Sequence, residues 1–128
     1  MNKQFLSIAA FLGGLSVVLG AFAAHKLKDM VSSDTVAVFE TGVRYQFYHV
    51  FAILVVAMLS ERFSNAWMIR AGNCFITGIV LFSGSLYLIT AMKAAESISL
   101  RYVGVITPVG GLFFIAGWVC LWIGVTRK

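Results

Sequence analysis

The chain has 128 residues, 60% of them hydrophobic and only 12% charged, with a mean hydropathy of +0.92. Soluble domains are roughly half apolar and about a quarter charged, so this balance excludes an ordinary water-soluble globule and indicates a membrane protein folding as one unit. The net charge of +5 does not indicate a nucleic-acid binder: the Lys and Arg residues flank apolar runs, as interface anchors do, and form no basic stripe.

Met1 to Lys3 is a short cationic start, and residues 5–24 carry no charge. A helix of that length covers about the 30 Å of a hydrocarbon core. Ala21-Phe22-Ala23 also reads as a cleavage signal, but the apolar run is longer than a signal core, so a first span over about 5–24 is expected. Its small residues Ala9, Gly13, Ser16, Gly20 and Ala24 recur three or four apart along one strip, which lets a second backbone approach in lipid.

His25 to Asp29 leaves the membrane, and Ser32, Ser33 and Asp34 offer capping oxygens for a new helix. Val36, Phe39 and Val43 form a narrow apolar stripe, which predicts an interfacial amphipathic helix over about 34–43. The apolar run that follows, 50–59, is too short to cross a bilayer. The second span must therefore begin near Thr41 and run over about 41–60. Arg44 then sits about 5 Å inside that end and His49 about 12 Å inside it.

Residues 61–65 make a turn, with Trp67 as an interface aromatic and Arg70 as a flank. The third span is expected over about 71–92 and includes Asn73, Thr77, Ser83, Ser85 and Thr90, whose side chains can bond within their helix or across to a neighbour. A loop over 93–101 leads to a fourth span over about 102–125, in which Pro108 either kinks or starts the helix. Gly110, Gly117 and Gly124 are seven apart and mark a close helix contact, with Trp118 and Trp122 beside it. Cys74 and Cys120 lie in apolar runs as small hydrophobes, with no metal-ligand spacing around either. Lys3, Arg62, Arg70, Arg127 and Lys128 fall on one side and Lys26, Lys28, Lys93 and Arg101 on the other, a slight bias toward cytoplasmic termini.

An ionisable side chain inside a span is expensive and normally faces protein or water. His49 fits that case, with Tyr45 and Gln46 close enough on the helix to share its face. Two uses follow, a hydrogen-bonded packing contact or a proton-relay and ligand contact. Glu40 and Arg44 stand at i, i+4 in the favourable order, either as an interface pair that fixes helix depth or, with Lys26 or His25, as a site for an anionic headgroup. No metalloprotease, hydrolase-elbow, Walker or paired-carboxylate pattern is present, so no catalytic residue, metal or cofactor is expected.

Four segments carry a resemblance: Gly-Ala-Phe-Ala-Ala-His-Lys-Leu (Gly20 to Leu27), Phe39 to His49, Leu-Phe-Ser-Gly-Ser-Leu-Tyr (Leu81 to Tyr87), and Thr107 to Trp118. In that order they resemble the uncharacterised bacterial inner-membrane family typified by YgdD and YwdK, which has small eukaryotic transmembrane relatives. Ala23 stands where many relatives have Gly, a mild departure. The resemblance implies a four-span inner-membrane protein and no activity. It directs attention to His25, Arg44, Tyr45, His49, Ser83 and Pro108.

The reading is an all-α, integral membrane four-helix bundle with an interfacial helix leading into its second span. The expected role is non-enzymatic: binding of lipid or a small ligand, or assistance to a membrane partner. The alternative is a small oligomeric transporter or proton-coupled carrier. Candidate ligand- or lipid-binding residues are His25, Glu40, Arg44, Tyr45, His49 and Ser83. Expected partners are membrane lipids and a second copy docking through the glycine-rich helix faces, with no nucleic acid.

Overall fold

Helices account for nearly all of the computed structural model, which describes residues 1–96 and 100–127, the side chains of 100 and 101 excepted. Part of the expected 93–101 loop lies outside the described residues, as do Lys128 and the Arg101 side chain. In order, α1 spans Lys3–His25, a single 3-10 turn Leu27–Asp29, α2 Ser33–Leu59, α3 Ala66–Gly78, a π-turn Ile79–Ser83, α4 Gly84–Ala94 and α5 Leu100–Thr126. The π-turn joins α3 and α4 into one rod, Ala66–Ala94, so four rods are long and apolar enough to cross a membrane. The chain is an all-helical, multi-pass membrane protein.

Local chemistry sets the helix ends. Asn2 caps α1 by accepting from the Phe5 N–H at 3.0 Å, and Ser32 caps α2 by accepting from the Thr35 N–H at 3.3 Å. Asn65 accepts from the Trp67 N–H at 3.1 Å, which starts α3 at Ala66, ahead of the expected 71 and with Trp67 and Arg70 inside the helix. The amphipathic segment 34–43 and the second span are one uninterrupted rod, since nothing between Ser33 and Leu59 breaks the helix. At about 1.5 Å per residue α2 exceeds a hydrocarbon core by several residues, and its first turns reach the interface. Pro108 lies inside α5, beyond the first turn, where the missing N–H leaves the Gly104 carbonyl without its usual partner. The α4 end is closed by Glu96 at φ 56°, in the left-handed region.

The rod α3–α4 packs against α2 on one side and α5 on the other, while α1 packs mainly on α2. Only 17% of the apolar window of α1 is buried, against 44% for α2, so α1 is the peripheral helix. Most of its strip is packed: Ala9 and Ser16 are buried, and a Cβ on Gly13 would touch Val50 at 3.4 Å and one on Gly20 Val43 at 3.7 Å, whereas Ala24 is exposed and Ala23 is buried in its place. Phe5 reaches the rod and seats on Gly72, where any Cβ would lie 2.4 Å from its ring.

Glycines set the closest approaches. Gly110 lies against the backbone of Phe82 in the π-turn, Gly117 against Phe75 and Gly124 against Met68 and Trp67, so all three pack α5 onto the rod. Gly42 brings α2 onto α4 beside Tyr87 and Leu86. These glycines are in use inside the chain, whereas a Cβ on Gly14, Gly84 or Gly104 would meet nothing within 4 Å outside its own helix among the described residues.

Candidate functional site

Two polar clusters lie inside the bundle, built on adjacent faces of α2. On the α1 side, the Gln46 amide donates to the Leu12 carbonyl at 3.0 Å, and the Tyr87 hydroxyl donates to Gln46 Oε1 at 2.7 Å. One turn away the Ser83 hydroxyl donates to the Gly42 carbonyl at 2.7 Å. These bonds tie α1, α2 and the third span together, and among the described residues no buried side-chain polar atom is left without a partner. In lipid an unpaired group has no water to turn to, so the seam specifies how the helices meet.

On the α5 side, His49 is buried against aromatic rings. Its imidazole stacks on Phe114 with centroids 3.6 Å apart and planes inclined by 7°. Trp118 Nε1–H donates to His49 Nε2 at 3.1 Å, and Nδ1 lies 2.7 Å from the Tyr45 carbonyl. An indole nitrogen is a donor only, so Nε2 must be the acceptor and Nδ1 must carry the proton that Tyr45 O receives. The imidazole is therefore neutral, with Nε2 engaged by the Trp118 N–H and Nδ1 by the Tyr45 carbonyl. Glycines make room for this stack: a Cβ on Gly78 would sit 2.3 Å from the Phe114 ring, and one on Gly117 would sit 2.6 Å from Phe75. Phe75 in turn meets the Trp118 ring edge-on at 5.1 Å.

Beside the stack a groove of about 620 Å³ runs between α2 and α5. Tyr45, Tyr48 and His49 form one wall, Leu112, Ile115 and Trp118 the other, with Phe82 and Phe114 behind them. Tyr48, Leu112, Ile115 and Trp118 are exposed along its rim, where acyl chains would surround the protein.

The sequence candidates separate. Tyr45 and His49 come together in the groove, whereas Gln46, expected on the same face, turns to α1 and α4. Glu40 and Arg44 are both exposed, and no ion pair joins them among the described residues. Two long side chains in contact with water gain little by holding one geometry. Arg44, Tyr48, Phe51 and Val55 fall within one stripe on the outer face of α2, consistent with an arginine reaching to the interface. His25 is exposed at the end of α1 and has no hydrogen bond to Arg44 among the described residues. Ser83 is buried with its proton on Gly42, so it holds helices together. Cys74 and Cys120 are free thiols. Trp118 was legible only as bulk beside the glycine face and Phe114 only as part of the Thr107 to Trp118 segment; nothing in their spacing pointed to His49.

Residues 19–111 match the family described as "Protein of unknown function (DUF423)". The chain belongs to this family. It is 38% identical to the UPF0382 membrane protein YwdK of Bacillus subtilis over 120 residues, covering 93% of each chain. It is 37% identical to the UPF0382 inner membrane protein YgdD of Escherichia coli over 128 residues, covering 99% of this chain and 93% of that relative. A UPF0382 membrane protein of Haemophilus influenzae is 37% identical over 121 residues. No solved structure matches the chain. The DUF423 match includes α2, the π-turn and the first part of α5 through Gly111, so it takes in His49, Ser83 and Pro108 but stops short of Phe114 and Trp118.

Proposed function

We propose that this DUF423 protein is non-enzymatic and holds an apolar chain, drawn sideways from the bilayer, in the groove between α2 and α5. The observation that carries the reading is the groove itself: an aromatic-walled cleft of about 620 Å³ inside the span, a size within the roughly 300–1,000 Å³ usual for small-molecule sites. His49 and Trp118 are bonded to each other and the other polar lining groups are the uncharged hydroxyls of Tyr45 and Tyr48, which favours an occupant that asks for shape rather than charge. The carrier alternative needs a titratable residue on a watered path. His49 has both nitrogens engaged and Glu40 lies on the outer face, which weighs against that alternative.

A phospholipid with a photoreactive acyl chain, reconstituted with the protein in nanodiscs, tests the reading. Adducts should concentrate on Tyr48, Leu112, Ile115 and Trp118, and Ile115→Trp, which fills the cleft, should remove most of them. Labelling spread evenly over these residues and the outer face of α1 at Phe11 and Val18 would show that the groove holds nothing in particular.

We also infer an inner-membrane location with both chain ends cytoplasmic. In the order of the spans along the sequence, Lys3, Arg62, Arg70, Arg127 and Lys128 flank them at that end, against Lys26, Lys28, Lys93 and Arg101 at the other, a slight excess of positive charge on the inside. In a background where Cys74 and Cys120 are replaced by Ser, an impermeant thiol reagent reaching the periplasm should label Lys28→Cys and spare Ser64→Cys. The reverse pattern would invert the topology.

A further inference from the structure

At the end of the bundle opposite His25, two arginines stand over one tryptophan and a third, Arg62, lies close by in the turn before it. The Arg70 guanidinium stands 4.7 Å from the centre of the Trp67 ring and the Arg127 guanidinium 5.5 Å from it. Arg62, from the α2–α3 turn, lies 5.8 Å from the Phe63 ring. Arg62, Arg127 and Trp67 line an open cavity of about 800 Å³ together with Ser64, Asn65 and Thr126. The Asn65 amide donates to the Gly124 carbonyl at 2.9 Å, which fixes the turn against the end of α5 and holds the cavity's two walls together.

Among the described residues the one ion pair is between the Met1 amino group and Glu61, and no carboxylate pairs with Arg62, Arg70 or Arg127. Guanidinium groups held over an indole face are oriented before a ligand arrives, and their planar forks match phosphate oxygens in pairs. The outer face of α2 offers no such convergence, since Arg44 stands there alone among Glu40, Tyr48 and Phe51.

We propose that this cavity is a binding site for a phosphate-bearing anion, with Arg62 and Arg127 as its ligands and Trp67 as the platform that holds Arg127. It is separate from the α2–α5 groove and does not depend on what fills that groove. Its position at the end of two spans places it at headgroup depth, where the phosphate is carried by a lipid; a free phosphate from the adjoining water presents the same chemistry.

The test uses the full chain in a neutral detergent, supplied with dioleoyl phosphatidylglycerol, dioleoyl phosphatidylcholine or inorganic phosphate, and counts retained lipid by native mass spectrometry and bound phosphate by equilibrium dialysis. Wild type should retain phosphatidylglycerol over phosphatidylcholine, and Arg62→Gln/Arg127→Gln should lose roughly tenfold in retention. Lys26→Gln/Lys28→Gln, at the other interface, should lose none. Arg62→Gln alone leaves the Trp67 stack intact and should lose part of the retention with an unchanged melting temperature, which separates binding from folding. Phosphate binding that the arginine variants abolish, without lipid preference, would support the site and name the free anion as its ligand. Equal retention in wild type and both arginine variants, or an equal loss in the lysine control, would overturn the proposal.

Discussion

Gly110→Ala is expected to loosen α5 from the bundle. A Cβ at this position would lie 2.3 Å from Phe82 N, 2.7 Å from Phe82 Cα and 2.8 Å from the Leu81 carbonyl carbon. All three are backbone atoms of the π-turn, so no rotamer change relieves the clash and the helices must separate. Overpacking usually costs about 1–3 kcal/mol, and a backbone-to-backbone collision belongs at or above the upper end. Gly111→Ala is the matched control, since its Cβ would meet Phe82 Cδ2 at an ordinary 3.9 Å. Melting both variants in a mild detergent should show a large drop for the first and little for the second. Equal melting temperatures would mean that α5 does not cross the π-turn at Gly110.

Gln46→Leu should produce the next largest loss. Leucine removes the acceptor of the Tyr87 hydroxyl and the donor to Leu12 O. The Leu12 carbonyl keeps the Ser16 hydroxyl, 2.8 Å away, so the Tyr87 O–H is the group left stranded. A buried orphan costs about 1–3 kcal/mol, while interhelical hydrogen bonds in membranes average nearer 0.6 kcal/mol. An intermediate value of about 1–2 kcal/mol is expected. Tyr87→Phe in the Gln46→Leu background should restore part of it, because the stranded hydroxyl is then gone. A double variant no more stable than Gln46→Leu would show that the bond contributes nothing beyond packing.

The fold was legible because lipid imposes a length and a polarity on every span. Three uncharged stretches are long enough to cross, and the shortness of the fourth, residues 50–59, forced Arg44 and His49 into the second span. Glycines seven apart marked the α5 contact face, which Gly110, Gly117 and Gly124 occupy. Helical spacing alone could not divide the polar residues between neighbours. Tyr45 and Gln46 flank His49 on the helix within a turn, yet one faces α5 and the other α1 and α4, because the partner side chains, Phe114 and Tyr87, arrive from distant sequence. The Glu40–Arg44 pair failed for a related reason: favourable spacing permits contact, but in the exposed setting nothing compels it. The cluster at Trp67 stayed hidden because Arg62, Arg70 and Arg127 read separately as interface flanks.

The π-turn at Ile79–Ser83 gives the third span a property that its hydropathy does not reveal. Such a turn holds one residue more than an α-turn, so it sets the rotational phase between the halves of the rod. Before it, Gly72 and Phe75 are clocked toward α1 and α5; after it, Leu86 and Tyr87 are clocked toward α2. Removing that extra residue would let the rod close into a regular α-helix with Tyr87 and Leu86 still facing Gln46 and Gly42, whereas inserting a further residue would turn the later half by about 100° and carry Tyr87 away from Gln46 and Leu86 away from Gly42. In this protein the count of residues between Gly78 and Gly84 works like the tooth spacing of a key.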